Sequence, residues 1–124
     1  MLCHYPTIIM NEKNILVLIE NRIIGLDIQK QLERYGYKPD VKGFVGKEIM
    51  KETLTREFHL IILGNPAYDY ESALEIVREF KLPVIYLTTD SELQEIKQPN
   101  FRTLMMPFGE DDLKEIVKAS LRDS

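Results

Sequence analysis

Phe58-His59-Leu60-Ile61-Ile62-Leu63-Gly64-Asn65-Pro66 decides the fold of this 124-residue chain. Leu60 to Leu63 is an unbroken apolar run, so a strand here has no polar face to show to water. Such a strand is buried on both sides, as in a parallel sheet covered by helices. Gly64-Asn65-Pro66 then breaks it. Two more runs of the same kind flank it, Ile15-Leu16-Val17-Leu18-Ile19 before and Pro83-Val84-Ile85-Tyr86-Leu87 after.

The segments between these runs have helical periodicity. Asn21 can cap a helix that carries Ile24, Ile28, Leu32 and Tyr35 on one face, and Gly36 ends it. Residues 37–41 form a weaker strand that holds Pro39, which assigns it to a sheet edge. Ile49, Met50 and Leu54 predict a helix over 47–56. Asp69 can cap the next helix, with Ala73, Leu74, Val77 and Phe80 inward. Residues 90–96 have room for only two short turns, so the fourth helix is expected to be short or irregular. A last strand over 101–105 precedes a helix opened by Glu110, Asp111 and Asp112, with Leu113, Ile116, Val117 and Leu121 inward. Acids at that end suit the positive pole of the helix dipole. Repeated strand-then-helix order predicts an α/β protein with a parallel sheet between two helical layers.

Composition narrows the function. Sixteen Lys and Arg against 20 Asp and Glu give a net charge of -4, which supplies no attraction to nucleic acid or to an anionic membrane. One cysteine, Cys3, excludes a disulfide framework and a cysteine-rich zinc site. No apolar run approaches the ~20 residues that span a bilayer. Residues 1–14 lack a basic segment followed by a long apolar stretch, so no signal peptide is expected and the cytoplasm is the default compartment.

In a parallel α/β sheet the functional edge is at the carboxyl ends of the strands. Glu20 is the one carboxylate directly after the first run, too few oxygen ligands for magnesium. Gly64 offers only backbone groups or room. Thr88 and Thr89 could bond an anion, or close a strand end. His4 and Cys3 lie in a tail, and His59 is at a strand start, away from that edge. Gly43 and Gly46 match neither the dinucleotide-binding nor the Walker phosphate-loop spacing. Gly25, inside a helix, reads as close packing. Tyr68 and Tyr70 look like an exposed aromatic pair: either a protein contact or simply a capped helix start.

These segments together resemble the receiver domain of two-component response regulators, over residues 14–121. Asn14-Ile15-Leu16-Val17-Leu18-Ile19-Glu20-Asn21 is similar to the family's opening strand and acidic turn. Gly46-Lys47-Glu48-Ile49-Met50 resembles its Gly-x-Glu-Ala-Leu helix start, and His59 to Gly64 its Pro-Asp-Leu-Ile-Ile-Leu-Asp strand. Pro83 to Thr88, and Met106-Pro107-Phe108 followed by Leu113, resemble its last two signatures. The resemblance implies a flavodoxin-like three-layer sandwich with strand order 2-1-3-4-5, over 14–124, after an N-terminal extension over 1–13.

It also implies a phosphorylation pocket, here degenerate. The family's magnesium-binding acidic pair falls on Ile19 and Glu20, its phospho-acceptor aspartate on Gly64, its switch hydroxyl on Thr88, its lysine on Met106 and its rotamer-switch aromatic on Thr103. Only Glu20 and Thr88 keep the chemical type. Position 64 then has no nucleophile, and the transition-state charge has no cation at 106. The bond before Pro107 is expected to be cis, as in the family. Thr88 follows Gly64 by 24 residues and Met106 follows Thr88 by 18, intervals shorter than is usual in the family.

The expectation is a pseudo-receiver: a non-enzymatic, phosphorylation-independent interaction domain of a two-component or phosphorelay system, without cofactor or metal. Its partner would be a histidine kinase, an effector domain or a second copy in a homodimer, with Tyr68, Tyr70 and Thr103 as contacts. No output domain follows Ser124, so the chain is read as stand-alone or cut from a larger regulator or sensor. One alternative is a small-ligand domain, with Gly64 leaving space in a pocket of Ile19, Thr88 and Met106 and with Asn65 and Thr89 as polar contacts. The other is a receiver phosphorylated at a displaced Asp69 or Asp90.

Overall fold

The structure, a computed structural model, describes residues 13–43, 46, 51, 58–64, 68–89 and 99–122. Five strands, β1 (Asn14–Leu18), β2 (Lys38–Lys42), β3 (Leu60–Gly64), β4 (Val84–Thr88) and β5 (Phe101–Met105), form one sheet. Their spatial order is β2-β1-β3-β4-β5 and every pairing is parallel. Among the described residues there are three helices, α1 (Arg22–Arg34), α2 (Tyr70–Phe80) and α3 (Glu110–Arg122). The helices expected over 47–56 and 90–96 fall outside the described residues, apart from Lys51.

The alternation of side chains along each strand builds two cores. Leu16, Leu18, Ile61, Leu63, Val84, Tyr86 and Phe101 meet α2 through Ala73, Leu74, Ile76 and Val77. Ile15, Val17, Leu60, Ile62, Ile85 and Leu87 meet α1 through Ile28 and Leu32, and α3 through Leu113 and Val117. Among the described residues, one helix covers one face and two cover the other, in keeping with the expected three layers. Each such buried aliphatic side chain contributes about 1.5–3 kcal/mol relative to exposure.

Local chemistry sets the helix ends. The Asn21 side chain accepts from the Ile23 and Ile24 N–H groups at 2.9 and 3.2 Å, which starts α1. Gly36, at φ 94°, takes the left-handed position after its end. The Asp69 carboxylate accepts from the Ser72 N–H at 2.8 Å and starts α2. Asp112 accepts from the Gly109 N–H at 2.8 Å at the start of α3. Arg34 pairs with Glu110, and the Tyr35 hydroxyl donates to the Glu110 carbonyl at 3.0 Å, tying the end of α1 to the start of α3. A Cβ on Gly25 would lie 3.2 Å from Val41 Cγ1, so this helix glycine lets α1 sit close on β2.

Candidate functional site

The carboxyl ends of β1, β3, β4 and β5 bring most of the expected positions to one edge of the sheet. Ile19 follows β1, is buried, and donates its N–H to the Lys42 carbonyl at 3.0 Å. Glu20, next in the chain, is exposed. Gly64 ends β3 and pairs with Leu87 in the β3–β4 register. Thr88 ends β4, is only 2% exposed, and its carbonyl accepts the Met106 N–H at 2.7 Å. Thr89 is exposed, and Asn65 lies outside the described residues. Met106 is half-buried against the apolar cluster that holds Ile19 and Leu87. The Met106–Pro107 bond is cis, as the resemblance implies.

Gly64 does not leave space. A Cβ built there would lie 2.6 Å from the Leu87 carbonyl oxygen and 2.9 Å from Leu87 Cβ. Both contacts are far inside van der Waals distance, and one is to main chain. The glycine lets β4 close on β3, and the room a side chain would need is filled by Leu87. The ligand pocket expected beside Gly64 therefore loses its reason at this point. Sequence reasoning read the missing side chain as a void because spacing along one strand says nothing about how near the next strand comes.

Tyr68 and Tyr70 are not an exposed pair. Tyr68 is 5% exposed and belongs to the core under α2. Its N–H donates to the Gly64 carbonyl at 3.1 Å, folding the chain back after β3. Tyr70 is half-buried, edge-on to Tyr86 at 5.6 Å and to Phe101 at 5.3 Å between ring centroids. Large rings gain more by covering the sheet than by staying in water. The signal was in the sequence: Tyr70 precedes Ala73, Leu74 and Val77 by three, four and seven, the spacing of one helix face. Tyr68 stands just before the cap residue Asp69, where an apolar side chain staples a helix start.

Thr103, the expected third contact, is half-buried on β5 and pairs in register with Tyr86. Asp69 spends its carboxylate on capping, which holds it below the ordinary carboxylate range. Asp90 is outside the described residues, with Cys3 and His4. His59 serves the opposite edge, where its Nδ1 accepts the Asn14 N–H at 3.1 Å. Among the described residues, no three acidic, histidine or cysteine side chains gather as a metal site. No helix there is long and apolar enough to cross a membrane.

Sequence reasoning missed one surface. Ile23 is 80% exposed and Leu26 54% exposed, one turn apart on α1. Both are apolar yet off the face formed by Ile28 and Leu32, which was the available signal.

Comparison with solved structures places this architecture. The signal receiver domain of an HD domain-containing protein from Pseudomonas fluorescens superposes with a TM-score of 0.74 at 18% identity, covering 90% of this chain and 88% of that one. The chemotaxis response regulator CheY4 of Vibrio cholerae gives 0.71 at 19% identity, covering 89% and 99%. A chain in the complex of histidine kinase ThkA with response regulator protein TrrA gives 0.71 at 28% identity, covering 88% and 98%. The fold is thus the flavodoxin-like fold of response-regulator receiver domains. No family model matches the chain. An uncharacterized protein of Pyrococcus abyssi is 28% identical over 132 aligned residues, which cover 96% of this chain and 38% of that relative.

Proposed function

We propose that this chain is a pseudo-receiver: a signalling module of two-component type that acts by contacting a partner protein and does not transfer a phosphoryl group at position 64. The close approach of Leu87 to Gly64 carries this reading: glycine supplies no nucleophile, and Leu87 leaves no space for one. Ile19 and Met106 support it, since they place apolar groups where a receiver has an acid and a lysine. The receiver-like neighbours favour signalling over catalysis, and one of them comes from a complex with a histidine kinase. A kinase, an effector domain or a second copy of the chain fits this role. The exposed Ile23 and Leu26 on α1 are better contact candidates than Tyr68 and Tyr70, which are committed to the core.

The test is an amide-resolved NMR titration with magnesium and then beryllofluoride, a phosphoryl mimic. Resonances of Glu20, Gly64 and Thr88 are expected to stay in place. Their joint movement would return the chain to the phosphorylatable receivers.

A further inference from the structure

A groove of about 410 Å³ opens between the start of α1 and the end of β2, beside the edge already described. Ile19, Leu26 and Val41 give it apolar walls, and Glu20, Arg22 and Lys42 give it charges of both signs. Its volume falls within the range of small-molecule sites, and it lies at the carboxyl ends of β1 and β2.

We propose that this groove binds a free apolar α-amino acid in its zwitterionic form. Two cations and one anion around an apolar wall complement a ligand with a carboxylate, an ammonium and a hydrocarbon side chain. The carboxylate pairs with Arg22 and Lys42, the ammonium with Glu20, and the side chain covers Leu26 and Val41. Lys42 is available because its contact with Asp40 is loose, 4.0 Å from Nζ to Oδ1. The positive end of α1, which begins at Arg22, also favours a carboxylate there. A simple anion would leave Glu20 opposed to it, and a simple cation would meet Arg22 and Lys42. The groove is open to water, so these charge pairs are screened and the expected dissociation constant is about 1 mM. The groove shares Leu26 with the α1 surface proposed for partner contact, and Ile19 and Glu20 with the strand-end edge, so ligand binding is read on the chain alone, with no partner, magnesium or phosphoryl mimic present.

The probe is L-leucine, titrated into the ¹⁵N-labelled chain. Saturable shifts are expected at residues 19–26 and 41–43. Three truncated ligands dissect the recognition: 4-methylpentanoate lacks the ammonium, 3-methylbutylamine lacks the carboxylate, and glycine lacks the side chain. Each is expected to bind at least about tenfold more weakly, a loss of about 1.4 kcal/mol. Glu20→Gln should weaken leucine and strengthen 4-methylpentanoate, which no longer meets an opposed carboxylate, whereas Arg22→Gln should weaken both. Glu20 and Arg22 are exposed, so the variants keep the fold, and circular dichroism checks this. Absence of saturation by about 50 mM leucine overturns the proposal. So does a truncated ligand that binds as tightly as leucine.

Discussion

Gly64 and Leu87 face each other across the β3–β4 pairing so closely that a single added carbon on Gly64 would lie 2.6 Å from the Leu87 carbonyl oxygen. Receiver chemistry requires a carboxylate at this end of the sheet. Here the neighbouring strand occupies the position from which one would project. On the pseudo-receiver reading proposed above, the absence of an acceptor at position 64 is matched by the spacing of the strands as well as by the residue identity.

Restoring the residue should not restore the chemistry. Gly64→Asp and Gly64→Ala are both expected to destabilise the chain by about 1–3 kcal/mol, the cost of forcing atoms into a filled core. Gly64→Asp should also fail to take up phosphoryl groups from acetyl phosphate with magnesium. Thermal melts and intact-mass spectrometry read the two effects. A Gly64→Asp variant that melts like the parent and gains a phosphoryl mass would show that the strands have room to part.

The start of α2 gives a pH-dependent prediction. Asp69→Ala should cost about 1 kcal/mol through loss of the cap bond to the Ser72 N–H. That bond lowers the Asp69 carboxyl below its ordinary value of 3.8, so its stabilisation is complete above that value. It is lost as pH falls through the lowered native value. Denaturation midpoints of parent and variant should differ at pH 6 and converge in strong acid. A gap that persists unchanged in acid would assign the effect to something other than the charged cap.

Gly36 holds a left-handed conformation, at φ 94°, after the end of α1. Gly36→Ala is expected to cost about 1–2 kcal/mol, because a Cβ is penalised there. A Cβ added at Gly43 would meet nothing within 4 Å among the described residues, so Gly43 is the control. Gly43→Ala should leave the urea midpoint nearly unchanged, and equal losses at both positions would contradict the conformational explanation.

Leu63 is fully buried in the core under α2. Leu63→Ala should cost about 2–5 kcal/mol through lost burial and the cavity left behind. Leu26→Ala, on the exposed side of α1, should shift stability by less than about 0.5 kcal/mol. Urea denaturation compares them, and a Leu26 variant as unstable as the Leu63 variant would mean that α1 is covered on that side.

The fold was legible because many residues agree on it. The run of Leu60 to Leu63 demands burial on two faces, Pro39 excludes the centre of the sheet, and Asn21, Gly36 and Asp69 mark helix ends by local bonding that spacing alone reveals. The candidate site was legible only in its identities. Gly64, Ile19 and Met106 could be read as losses, but whether a loss leaves a hole or a filled core depends on the distance between strands. Tyr68 and Tyr70 were misjudged for a related reason: a loop position next to Pro66 suggests exposure, while the helical spacing of Tyr70 with Val77 points inward. Ile23 and Leu26 show the reverse, apolar residues that periodicity leaves outside.

Pro39 carries a consequence for assembly. The Lys38 N–H donates inward to the Lys13 carbonyl at 2.9 Å, so the next nitrogen along β2 faces away from the sheet. That nitrogen belongs to proline and has no hydrogen to offer. A stray strand approaching this margin would find the ladder interrupted at its second rung, with Lys38 and Lys42 at the two ends of the strand. Fibril-like growth is therefore discouraged along this border, and copies that meet there must recognise each other through side chains.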